Sequence, residues 1–229
     1  MKVAIMQPYF FPYIGYFQLI NAVDTFVIYD DVNFIKQGWI AKNRILLGKE
    51  PFDFILQLEG VSSFKKINEI KIGNNRRKLL KTIEQTYKKS PYFTNVYPLL
   101  ESIFNNEEIN LSKFLTFSLI QICNYLEIET EFLISSSIVK NNKLKGEEKV
   151  IEVCTKINAT DYINTEGGIK LYSKDNFLKS NLNLSFIKVK PLFYKQYDNE
   201  FIPWLSIIDI LMFNTVTDIK KMLNQYELL

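Results

Sequence analysis

Apolar residues fall into two periods along the chain. Short runs without a polar face read as buried parallel strands: Lys2 to Met6, with Val3-Ala4-Ile5-Met6 inside it, and Thr25 to Tyr29. Between them Tyr13-Ile14-Gly15-Tyr16-Phe17-Gln18-Leu19-Ile20 opens a helix. Strand, crossover helix and strand make a βαβ unit, so the two strands should be parallel. Further strands are expected at Phe52 to Leu58, Ile67 to Ile72, Thr130 to Ser135, Thr160 to Ile163 and Leu184 to Val189. The helical period returns from Asn74 through Lys89, with Leu79, Leu80, Ile83 and Tyr87 on one face, until Ser90-Pro91 breaks it. It recurs over Phe93 to Asn105, Leu111 to Leu126, Gly146 to Asn158, Leu171 to about Ser180, Trp204 to Asn214 and Thr217 to Tyr226. The alternation predicts an α/β fold with a mostly parallel, Rossmann-like sheet flanked by helices. A helical block interrupts it at about residues 74–127, and the whole of 1–229 reads as one domain with that insertion.

Composition narrows this picture. Hydrophobic residues make up 47% and charged residues 23% of the 229, ordinary values for a globular protein. A net charge of +3 is too mild to argue for nucleic acid or a membrane surface. No apolar run reaches the ~18 residues a membrane span needs, and Gln7-Pro8 cuts short any signal core, so a cytoplasmic protein is expected. Cys123 and Cys154 both fall inside predicted helices and suggest neither a disulfide framework nor a metal knuckle. The absence of histidine matters more. It removes the commonest general base, the serine triad and the usual zinc ligand. No zinc, haem or iron–sulfur centre is expected. Chemistry falls to carboxylates, Lys, Arg, Tyr, backbone amides or the substrates.

Three loops follow predicted strand ends, the edge where open α/β sheets bind ligands. In the first, Gln7-Pro8-Tyr9-Phe10-Phe11-Pro12, the phenylalanines are equally well core. Tyr9, Tyr13 and Tyr16 carry polar tips and are better ligand candidates. Gly15 in a first helical turn implies close approach, by a ligand or by packing. The second loop starts with Asp30-Asp31, which could hold magnesium, accept from a sugar hydroxyl or bind an ammonium group. A solvated turn or helix cap is the simpler reading of such a pair. Asn33, Lys36, Gln37, Trp39, Lys42, Asn43 and Arg44 come next; aromatic, amide and basic groups together suit a nucleotide or phosphorylated ligand, against a merely solvated basic edge. The third loop, Asn164-Thr165-Glu166-Gly167-Gly168 with Tyr172 beyond, offers paired glycines whose amides an anion could approach, or a plain turn. Lys140 to Lys145 reads as a polar, mobile stretch, and Tyr194 to Pro203 as a polar, aromatic loop. Asp209, inside an apolar helix, must be paired or hydrogen-bonded and reads as a structural partner.

Met6 through Tyr16, Tyr29-Asp30-Asp31-Val32, Gly38-Trp39 and Asn43-Arg44-Ile45 together resemble the N-terminal signature of the WbqC-like family. Lys145-Gly146-Glu147, Tyr162-Ile163-Asn164, Gly167-Gly168, Leu171-Tyr172 and Phe201 through Asp209 extend the resemblance over nearly the whole chain. Ala41, where the family often has Asn, and Thr165-Glu166 before the glycines depart from it. The resemblance implies a role in O-antigen or other surface-glycan synthesis, with an amino acid such as glycine attached to an amino sugar. A weaker, fold-level resemblance links the aromatic loop and Tyr13-Ile14-Gly15-Tyr16 to the His-x-Gly-His signature of nucleotidyltransferases and pantothenate synthetases, with Tyr in place of His.

These resemblances imply an enzyme that joins an acyl group to a nucleotide-linked amino sugar through an ATP-derived adenylate, or else a glycosyltransferase or a non-catalytic sugar-nucleotide-binding protein. On the first reading Asp30, Asp31, Lys36 and Arg44 act in catalysis, with Asp30 and Asp31 holding magnesium or the ammonium group. Gln7, Tyr9, Tyr13, Gly15, Tyr16, Trp39, Lys42, Asn43, Asn164, Gly167, Gly168 and Tyr172 line the substrate and nucleotide site.

Overall fold

The computed structural model describes residues 1–197 and 200–229. Asp198, part of the loop expected from Tyr194 to Pro203, lies outside the described residues. The first βαβ unit forms as the apolar pattern requires: β1 (Lys2–Met6), α1 (Ile14–Asn21) and β2 (Thr25–Ile28), with the strands parallel and Val3 opposite Thr25. A hairpin of β3 (Lys42–Leu47) and β4 (Glu50–Ile55) follows, then the short pair β5 (Leu58–Glu59) and β6 (Lys71–Ile72). The helical block is α2 (Arg76–Tyr87), α3 (Phe93–Phe104) and α4 (Leu111–Tyr125). The chain returns to the sheet in β7 (Glu131–Ile134) and continues through α5 (Gly146–Lys156), β8 (Asp161–Thr165), α6 (Lys174–Lys179) and β9 (Asn183–Val189). It closes with α7 (Ile207–Phe213), α8 (Val216–Leu223) and β10 (Tyr226–Leu228).

The main sheet has the order β10-β9-β8-β1-β2-β7, parallel throughout except for β10. This is a Rossmann-like arrangement with its reversal of strand order between β1 and β8. A crevice opens at such a reversal because the flanking crossovers leave in opposite directions. Side chains alternate across the strands: Ala4, Phe26 and Ile28 face a large core shared with α1, the helical block, α7 and α8. Val3, Ile5 and Val27 face a smaller core closed by Val150, Val153 and Cys154 of α5 and Phe177 of α6. Leu79, Ile83, Leu100 and Leu115 of the helical block lie in the same apolar cluster as Phe17 of α1.

Four expectations change. Lys42-Asn43-Arg44 is the start of a strand, not a loop, and the strand expected at Phe52 to Leu58 is its hairpin partner, outside the main sheet. Within Ile67 to Ile72 only Lys71 and Ile72 pair as a strand, after a turn of 3₁₀ helix over Ile67–Glu69. The last helix stops at Leu223, and Tyr226–Leu228 instead add an antiparallel edge strand. The apolar helix starts at Ile207 rather than Trp204, because the Ser206 hydroxyl accepts from the Ile208 amide and caps it. Trp204 then stands outside, with φ of 63° in the left-handed region.

Candidate functional site

Strand parity explains which members of the basic cluster face outward. Along β3 the side chains alternate, so Asn43 and Ile45 turn inward while Lys42 and Arg44 share the other face. Trp39 lies against both cations, its ring centre 5.2 Å from Lys42 Nζ and 5.6 Å from Arg44 Cζ. Asn43 is structural: its Nδ2 donates to the carbonyls of Phe11 (2.8 Å) and Phe10 (3.3 Å), and its Oδ1 accepts from the Arg44 amide.

The same junction carries the C-terminal third of the chain. The Ser206 amide donates to the Arg44 carbonyl (2.8 Å), the Ser206 hydroxyl to the Phe11 carbonyl (2.8 Å) and the Ile207 amide to the Pro12 carbonyl (2.9 Å). Both Phe11 (φ 43°) and Trp204 (φ 63°) hold left-handed backbone here. Such conformations cost of order 1–3 kcal/mol each and persist only where the surroundings over-determine them. Their result is a cleft of about 210 Å³ that Tyr9, Tyr13, Trp39, Asn43, Arg44 and Trp204 line. Tyr13 and Trp204, ring centres 5.7 Å apart, also form one wall of a second, apolar cavity of about 340 Å³.

The electrostatics of the cleft are one-sided. No carboxylate among the described residues forms an ion pair with Arg44, and its buried Nε has no hydrogen-bond partner. A guanidinium with no carboxylate partner attracts a carboxylate or phosphate through its outer nitrogens, the unpartnered Nε being sealed from solvent. Burial raises the Tyr9 hydroxyl's pKa; burial, then the negative charge of Glu166, then Tyr9 raise that of Tyr13. Both tyrosines therefore stay protonated donors at neutral pH. Glu166, from the loop after β8, thus acts on Tyr13 through its charge, although it does not line the cleft. In the sequence it stands only as a member of the glycine loop and a departure from the family pattern.

The remaining predicted residues are placed as follows. Tyr16 is core: burial holds its pKa well above the usual phenol range, and its hydroxyl donates to the Gln7 carbonyl at 2.8 Å. Gly15 is needed because the Tyr13 ring folds over it; a Cβ there would sit 2.4 Å from the ring. Gly168 is packed by Asn164 and Tyr172, whereas Gly167 has room. The Asn164 amide donates to the Tyr162 hydroxyl at 3.0 Å, and Tyr172 stands edge-on to Tyr162. Lys36 is exposed and lines a separate open groove with Gln37 and Lys42.

Asp30 and Asp31 line neither cavity. Asp30 accepts from the Ser136 amide (2.9 Å), the Ser136 hydroxyl (2.6 Å) and Asn68 Nδ2 (3.0 Å). Asp31 accepts from the Ser135 hydroxyl (2.7 Å), Lys149 Nζ (2.9 Å) and Lys140 Nζ (3.0 Å). Burial pushes the Asp31 carboxyl up, but the bonds from Lys149, Ser135 and Lys140 outweigh it and hold it below the usual carboxylate range. Magnesium does not fit this pair: its oxygens already carry ammonium, hydroxyl and amide donors, and a cation would have to displace a lysine. Lys140, expected in a mobile stretch, is instead fixed, its ammonium also donating to the carbonyl of Ser135. Lys149, from the first turn of α5, was not predicted at all. Among the described residues no three acids or cysteines are grouped to hold a metal, and no helix is long and apolar enough to cross a membrane.

The family model for WbqC-like proteins matches residues 7–221, from the aromatic loop to the last helix. The chain belongs to the WbqC-like protein family. An uncharacterized protein of Mycobacterium tuberculosis (strain ATCC 25618 / H37Rv) is 30% identical to it over 217 residues, 92% of each chain. No solved structure matches this WbqC-like chain significantly. The cleft at Arg44 and the glycine loop after β8 both lie inside the matched span.

Proposed function

We propose that this WbqC-like protein is a transferase of surface-glycan precursor synthesis that acylates the amine of a nucleotide-linked amino sugar. ATP activates the acyl carboxylate. A carboxylate oxygen attacks the α-phosphorus and pyrophosphate leaves; the sugar amine then attacks the acyl carbon, the bond to the phosphate oxygen breaks, and AMP departs as the amide forms. The observation that carries this reading is Arg44, a guanidinium with no ion-pair partner among the described residues, set between the rings of Tyr9, Tyr13, Trp39 and Trp204. Cation and aromatic walls suit a phosphate joined to a flat base or a sugar.

Each residue's role follows from its position. Arg44, with Lys42 on the same strand face, offsets charge on the α-phosphate and the departing AMP. The protonated Tyr9 and Tyr13 hydroxyls donate to the substrate, and Trp39 and Trp204 stack on it. Glu166, whose charge acts on Tyr13, receives the ammonium and takes the proton it releases. No protein nucleophile is needed, which agrees with a chain lacking histidine.

The test supplies purified protein with ATP, a carboxylic acid and a nucleotide-linked amino sugar, and follows AMP and amide by mass spectrometry. Equal yields of AMP and amide, reduced at least about tenfold by Arg44→Ala, are expected. Release of a nucleoside phosphate from the sugar donor without ATP consumption would make it a glycosyltransferase. A second reading, sugar-nucleotide binding without turnover, draws on the internal pairing of Asp30 and Asp31, which leaves neither carboxylate free for metal or proton chemistry. Tight binding without AMP would favour it.

A further inference from the structure

The cleft and the apolar cavity share the Tyr13–Trp204 wall, yet their linings differ. Arg44, Asn43 and the tyrosine hydroxyls give the first its polarity. The second is lined by Ile14, Leu192, Phe193, Tyr194, Phe201 and Ile210, and the one charged side chain among its described lining residues, Lys190, is paired with Glu227 (3.6 Å). Asp209 engages the Tyr194 hydroxyl: Tyr194 donates to Asp209 Oδ2 at 2.7 Å, alongside Gln196 Nε2 at 2.8 Å and Tyr87 at Oδ1. The cavity is lined mainly by rings and aliphatic carbon, and a glycyl group would leave most of it empty.

We infer that the cavity beyond Trp204 is an acyl-chain pocket, and that the acid this protein takes carries an apolar tail rather than being glycine. The tail lies against Leu192, Phe201 and Ile210, and the carboxylate reaches past the Tyr13–Trp204 wall to Arg44. A cation without an ion-pair partner among the described residues, beside an apolar cavity, is complementary to one class of ligand, an aliphatic or aryl carboxylate. The inference rests on the reading above that the Arg44 cleft holds the reacting anion.

The test titrates a series of straight-chain carboxylates, acetate to octanoate, into the full chain below their aggregation concentrations, by calorimetry or by Trp fluorescence. Each methylene buried should tighten binding by about fourfold. Leu192→Trp, which fills the pocket, should flatten that dependence. Arg44→Ala should weaken every member by the same factor and leave the dependence on length intact. Phe193→Ala removes an exposed ring of the pocket wall, so it serves if Leu192→Trp does not fold; its dependence on length should be shallower than wild type. Affinity independent of length in the wild type overturns the acyl pocket while leaving the Arg44 reading standing. Length dependence unchanged in Leu192→Trp, or in Phe193→Ala where that stands in, places the tail elsewhere and overturns it too. An unaltered affinity in Arg44→Ala, with length dependence kept, sinks the anion reading instead.

Discussion

Two charged clusters lie at the carboxyl edge of one sheet, and their states of pairing are opposite. At the end of β2, Asp30 and Asp31 meet Lys140, Lys149, Ser135, Ser136 and Asn68, and each carboxylate accepts three bonds from within the chain. At the loop after β1, Arg44 has aromatic rings and no counter-ion among the described residues. In the sequence both look like polar loops beside tyrosines. The contrast teaches that pairing, not charge density, separates scaffold from site: a cluster closed on itself holds loops together, and one left open has affinity to offer.

Removing the acid from the closed cluster should have the largest effect. Asp31→Ala leaves two lysine ammoniums in a buried setting without their carboxylate, and a loss of about 3–5 kcal/mol is expected in urea unfolding. A loss under about 1 kcal/mol would mean that solvent reaches the cluster and the comparison fails. At the open cluster Arg44→Ala should weaken nucleotide or carboxylate binding by about 1.5–3 kcal/mol, ten- to a hundredfold, while changing stability by no more than about 0.5 kcal/mol. Thermal shift with and without ligand separates the two.

Acid sharpens the comparison further. The folded Asp31 carboxyl lies below its unfolded value, so its contribution is complete above the ordinary aspartate range and is lost as pH falls through the folded value. Asp209 runs the other way: burial outweighs the bonds from Tyr194, Tyr87 and Gln196, its carboxyl is raised, and its contribution fades as pH rises through the folded value. Asp209→Asn should therefore remove a downward slope of stability with rising pH just above the ordinary aspartate range, and Asp31→Asn an upward slope below it, in unfolding titrations. A small effect on stability is expected at Trp204. Glycine at a φ of 63° relieves left-handed strain, so Trp204→Gly should change stability by about 1 kcal/mol or less yet weaken any ligand that stacks in the cleft.

The fold was largely legible because short apolar runs without a polar face alternate with longer segments of helical period. Val3 to Met6 and Thr25 to Ile28 announced the βαβ unit, and with it the edge where Arg44 lies. The hairpin of β3 and β4 was not legible, because Lys42-Asn43-Arg44 carries no apolar alternation until Ile45 follows. Without the hairpin, parity was unavailable, and Asn43 could not be told from Arg44 as a ligand. Lys140 and Lys149 were missed for a different reason. A buried lysine looks like a solvated one until its partner, more than a hundred positions away in both cases, is known. The start of the helix at Ile207 was hidden by tryptophan and leucine ahead of its serine cap.

The stitch between Ser206 and Phe11 joins residues 195 positions apart. A chain emerging amino end first lays down β1 and the aromatic loop long before the segment that completes the cleft exists. Closing so long a loop is entropically slow. The cleft is thus completed only after Trp204 and Ser206 have emerged, late in the making of the chain. A ligand bridging Arg44 and Trp204 would lock the two ends of the chain together, so it would slow unfolding as well as raise the melting temperature.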